Sequence, residues 1–88
     1  MLKQFLEKTK EYNFVVIYEP IEEGGYQVTV PSLPGLITYG QTFKEAKDMV
    51  QDAIRCHLEG LIKEHKNIPV EKSIIQERVL ISLPALNV

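Results

Sequence analysis

The spacing of apolar side chains changes character along the chain, and each change marks an element. Leu2, Phe5, Leu6, Thr9 and Tyr12 recur at helical spacing with Lys3, Glu7, Lys8 and Glu11 between them, which predicts a short amphipathic helix over residues 1–13. Phe14 to Tyr18 is an unbroken aromatic and β-branched run, the composition of a central strand. Glu22-Glu23-Gly24-Gly25 is a turn, after which Tyr26, Val28 and Val30 alternate with Gln27 and Thr29 as a half-buried strand requires. Leu36 to Tyr39 adds a third strand, so residues 14–40 read as a three-stranded meander. From Thr42 to His65 the period becomes helical again. Phe43, Ala46, Val50, Ala53, Ile54, His57 and Leu61 share one face, and Lys44, Glu45, Asp48, Gln51, Asp52, Arg55 and Glu59 fall on the other side. Asn67-Ile68-Pro69 ends that helix, and the alternation of Val79, Ile81 and Leu83 predicts a last strand over 77–83.

The predicted order is α-β-β-β-α-β, an α+β arrangement in which one long helix packs on a face of a small, mainly antiparallel sheet. With the last strand parallel to the first, the long helix becomes a right-handed crossover. That topology is similar to a reduced ribonuclease H fold. No repeat, low-complexity tract or long linker divides the chain, so residues 1–88 are expected to form a single domain.

The segment Val30–Ala46, VPSLPGLITYGQTFKEA, concentrates the conformational signals. Pro31 and Pro34 fix φ and remove two backbone donors, so the chain must turn there instead of extending a ladder. Gly35 and Gly40 are the two positions in this corner expected to use φ > 0. Thr42 followed by Glu45 is a capping box at the start of the long helix.

Composition narrows the chemistry. An apolar fraction of 44% with 25% charged residues suits a folded domain, and a net charge of −2 without any basic run gives no electrostatic footprint for nucleic acid. A weakly acidic chain is better matched to a basic protein. The lone Cys56 with two separated histidines makes no zinc framework, and no apolar run approaches the roughly 20 residues of a membrane span. The N-terminus lacks the apolar core of a signal peptide, which leaves the cytoplasm as the expected location. Two-metal nuclease chemistry needs converging carboxylates, whereas Glu19, Glu22, Glu23, Asp48, Asp52 and Glu77 are spread over a strand end, a turn, an outer helix face and a distant strand. Cys56 and His57 diverge by about 100° on a helix and form no nucleophile–base pair. His57 is expected to pack as a core or interface residue, and His65 to complement the negative end of the helix dipole. Gly35 and Gly40 lack the Lys-Ser/Thr of a phosphate loop. No catalytic, metal or cofactor residue is expected.

The order of these signals resembles the HicB-like antitoxin family over about Phe14 to Pro69. The acidic glycine turn Glu22–Gly25, the aromatic Tyr26, the Pro-x-x-Pro-Gly motif at Pro31, Pro34 and Gly35, and the Gly-x-Thr-x-x-Glu-Ala motif at Gly40, Thr42, Glu45 and Ala46 carry the resemblance, with Ala53, Ile54 and Leu58 following in the helix. It implies the reduced ribonuclease H-like fold and an antitoxin that binds a small basic HicA-type toxin, an mRNA-cleaving enzyme with a double-stranded-RNA-binding-like fold. Glu22, Glu23 and Tyr26 are the expected partner-binding residues; Pro31, Pro34, Gly35, Gly40, Thr42 and Glu45 are the expected structural motif. Longer antitoxins of this family continue into a promoter-binding ribbon-helix-helix or helix-turn-helix domain. Here no direct nucleic-acid binding is expected, because few residues follow Leu83. A stand-alone homo-oligomeric scaffold or regulator without a toxin is the competing expectation, since an exposed strand edge is a template for a second copy.

Overall fold

The computed structural model describes residues 10–71, 73 and 75–85. Three short strands, β1 (Ile17–Pro20), β2 (Tyr26–Thr29) and β3 (Ile37–Gly40), form an antiparallel sheet in the order β1-β2-β3, and one long helix, α1 (Phe43–Lys63), follows them. The α+β class expected from the sequence is therefore the observed one. β1 pairs with β2 from Ile17↔Thr29 to Pro20↔Tyr26, and β2 with β3 from Tyr26↔Gly40 to Thr29↔Ile37.

β1 lies further along the chain than the run Phe14–Tyr18 suggested. Continuing the register would set Phe14–Val16 against Val30–Ser32, where the partner chain has already entered the proline corner and Pro31 has no N–H to give. The ladder therefore begins at Ile17 and reaches Pro20, whose missing donor is tolerated on an edge strand.

The corner itself is two successive turns. Leu33 N–H donates to the Val30 carbonyl at 2.9 Å, and Leu36 N–H to the Leu33 carbonyl at 3.1 Å. Pro34 and Gly35 are the central residues of the second, and Gly35 has φ +90°, the value a type II turn demands at that place. Between the exposed prolines the two turns drive Leu33 into the core, where it is 2% exposed.

Val28, Val30, Leu33, Ala46 and Val50 are the buried apolar residues, and they lie between the sheet and α1. Tyr18, Tyr26 and Val28 occupy the helix-facing side of the strands; Ile17, Gln27, Ile37 and Tyr39 occupy the opposite, open side. α1 packs mainly over β3 and less closely over β2, which leaves the helix-facing side of β1 incompletely covered. Gly40 is buried against the helix. A Cβ there would lie 2.4 Å from the Ala46 nitrogen and 2.5 Å from its Cα. Its φ is not in the left-handed region, contrary to the expectation above; what Gly40 supplies is space. The left-handed glycines are Gly24, Gly25 and Gly35.

Both ends of α1 are capped. Thr42 Oγ1 accepts from Glu45 N–H at 3.0 Å, and Glu45 Oε1 accepts from Gln41 N–H at 3.1 Å, so the return arm of the box reaches one residue further back than usual. At the C-terminus Lys66 N–H donates to the Leu61 carbonyl at 2.9 Å and His65 N–H to that of Ile62 at 3.1 Å, a Schellman motif. His65 occupies its left-handed position with φ 57°, where glycine is usual. This backbone role adds to the dipole role expected from sequence. His65→Gly is predicted to stabilise the protein by about 1 kcal/mol, a rise in melting temperature of about 4–8 °C by calorimetry.

Three expectations need correcting. The buried stripe of α1 runs through Ala46, Val50, Ile54 and Leu58, so His57 is exposed and belongs to no core, and Phe43, at the first helical position beside the sheet's end, is 52% exposed. Of the helix expected over residues 1–13, residues 1–9 lie outside the described residues, and residues 10–13 are not helical. The last strand over 77–83 is not formed. Among the described residues no strand pairs with residues 75–85, and Val79, Leu80, Ile81 and Leu83 stand exposed.

Candidate protein-docking surface

The five-residue link Ile21–Gly25 closes the β1–β2 hairpin through two bonds, Ile21 N–H to the Gly25 carbonyl and Gly24 N–H to the Ile21 carbonyl, both 2.9 Å. Gly24 at φ +109° and Gly25 at φ +84° turn the chain where other residues would be strained. Gly25 also abuts β3, since a Cβ on it would lie 2.5 Å from the Gly40 carbonyl oxygen. This rigid base pushes Glu22 and Glu23 outward. Both are exposed, and neither joins any of the ion pairs among the described residues, which are Lys44–Asp48, Asp52–Arg55 and Glu64–Lys66.

Tyr26, the first residue of β2, faces the helix side. The Phe43 ring lies 6.1 Å from it at 78°, edge to face, and 4.8 Å from the Tyr18 ring at 54°. These are attractive aromatic geometries. Phe43 thus bridges two strand tyrosines at the end of the sheet where the acidic turn also lies. The structure brings the three predicted partner-binding residues to one end of the molecule and adds Tyr18 and Phe43. Sequence reasoning missed those two because it placed Tyr18 in a central strand and Phe43 on the apolar face of the helix. The signal was present, since Phe43 directly follows the cap Thr42, and an N-terminal helical residue lies at the edge of a packed layer.

The motif residues serve the frame behind this surface. Pro31, Pro34 and Gly35 form the turns around Leu33, Gly40 admits the helix, and Thr42 and Glu45 cap it. Ser32 Oγ donates to Glu71 Oε2 at 2.7 Å and ties the chain after α1 back to the proline corner. Cys56 is a free, exposed thiol. Among the described residues no three His, Cys, Asp or Glu side chains stand close enough to hold a metal ion, and no helix is long and apolar enough to cross a membrane.

The arrangement is that of a small α+β domain built to present a surface. Comparison with known proteins makes this specific. A family model described as "HicB_like antitoxin of bacterial toxin-antitoxin system" matches residues 14–85, and the chain belongs to this family. Its members are antitoxins, not enzymes. The match extends beyond Pro69, where the resemblance read from sequence stopped, and takes in the exposed segment 75–85.

Among similar proteins, a UPF0150 protein of Synechocystis sp. is 38% identical over 65 residues, 74% of this chain and 82% of that protein. A UPF0150 protein of Thermoplasma acidophilum is 45% identical over 56 residues, 64% of this chain and 81% of its own length. Antitoxin HicB 1 of Photorhabdus laumondii is 35% identical over 74 residues, 84% of this chain; the chain spans about half of that relative, 48%.

Proposed function

We propose that the protein neutralises a small, basic, mRNA-cleaving toxin of the HicA type in the cytoplasm, by covering the toxin's active site with the surface formed by Glu22, Glu23, Tyr26, Tyr18 and Phe43. The observation that carries this reading is that two exposed carboxylates, without an ion-pair partner among the described residues, lie on the turn at the end of the sheet that carries three linked aromatic rings. Aromatic side chains are the anchors that protein interfaces favour, and opposite charge at their rim accelerates encounter. Steric occlusion needs no nucleophile, metal or cofactor. Membership of an antitoxin family supports a toxin partner in general, and the acidic turn supports a basic one.

The test is co-expression with the small basic protein encoded beside this one. Relief of that protein's growth arrest and co-purification of the pair are expected; persistent arrest with no complex would sink the proposal. A second reading, self-assembly of this chain, is favoured by a different observation, the apolar and unpaired segment 75–85.

A further inference from the structure

Two unpartnered surfaces of this chain have complementary form. The first is a groove of about 340 Å³ along β1, where α1 does not reach over the sheet. Tyr12, Phe14, Val16 and Tyr18 form one wall, Ile54 and Arg55 part of the other. Among the described residues the sheet order leaves the outer edge of β1 without a neighbour, which sets its outward N–H and C=O groups beside the same groove. The second surface is the arm that follows Glu71. Val79 is 65% exposed, Leu80 92%, Ile81 68% and Leu83 81%, and none of them pairs with a strand among the described residues.

We infer that the arm of one copy adds as a strand to the outer edge of β1 in a second copy, seating Val79, Ile81 and Leu83 in the groove. The inference rests on the self-assembly reading and adds to it the place of contact. Length suffices, since residues 77–83 span about 23 Å when extended, enough to cover the four residues of β1 (about 13 Å) and the run Phe14–Val16 that lines the groove before it. Chemistry agrees as well. The arm alternates apolar side chains at the period a strand requires, the groove presents aromatic and aliphatic walls, and Glu77 on the arm is opposite in charge to Arg55 on the rim. The occupant is a second copy because the arm is not seated on its own chain, and every chain carries both the arm and the groove. Reciprocal exchange fills both grooves and closes the assembly as a two-fold dimer. The fourth strand expected from the sequence is then supplied by the partner.

The experiment combines light scattering with hydrogen exchange on the full-length protein at tens of micromolar. The wild type is expected at twice the mass of one chain, with amides of residues 14–19 protected. Ile81→Asp changes a side chain exposed in the single chain, so it is expected to leave α1 and β2 amides protected while halving the mass. Exchange at residues 14–19 should then accelerate at least tenfold. A wild-type monomer would overturn both this inference and the self-assembly reading. A dimer that survives Ile81→Asp, or one whose residues 14–19 exchange freely, would overturn this inference alone, because the contact would then lie elsewhere.

Discussion

Gly40→Val is expected to cost about 3 kcal/mol of folding stability, the upper end of what extra bulk in a packed contact typically costs. The reason is distance. The added Cβ would meet the Ala46 nitrogen at 2.4 Å, its Cα at 2.5 Å and its Cβ at 2.8 Å, and two of these are backbone atoms that no rotamer change can move. Sheet and helix must separate at their closest approach, which loosens Val28 and Val50 together. Gly40→Ala places the same Cβ and is expected to lose most of the same stability. Urea unfolding followed by circular dichroism measures both. A loss below about 1 kcal/mol for valine would mean that α1 can lift from β3 at little cost.

The double change Glu22→Lys/Glu23→Lys is expected to leave the melting temperature nearly unchanged and to weaken binding of a basic toxin about 100-fold, or on the order of 3 kcal/mol. Both side chains are exposed and without ion-pair partners among the described residues, so their removal takes nothing from the fold. Reversed charge would set like against like at the rim, and the effect should shrink as salt is raised. Titration calorimetry at two ionic strengths reads this directly. Equal affinity for the two proteins would remove the acidic turn from the interface, and a parallel fall in melting temperature would make the turn structural.

Local rules made much of the frame legible. The capping pair Thr42 and Glu45, the glycine turn, the alternation in β2 and the proline corner each depend on neighbours a few residues away, and each appears where the sequence indicates. What escaped depends on distant partners. Phe14–Val16 has strand composition, yet its ladder is cut short where the chain after β2 turns away at Pro31. His57 lies on the apolar arc, but the sheet is too narrow to cover it. Gly40 looked like a conformational glycine, and only the docked helix reveals that it is a spatial one. Residues 77–83 carry a strand pattern that no edge within the chain satisfies. At the candidate surface, Glu22, Glu23 and Tyr26 were readable from turn and alternation, whereas the bridging of Tyr18 and Tyr26 by Phe43 exists only once helix and sheet meet.

The five buried apolar residues of the core lie between Val28 and Val50, a stretch short enough that its loops close at small entropic cost. Low contact order of this kind goes with fast folding. That nucleus draws nothing from the residues after Glu71, so the arm extends from a core that it does not complete. In the inferred dimer, assembly is then a second-order step whose rate follows the concentration of folded chains.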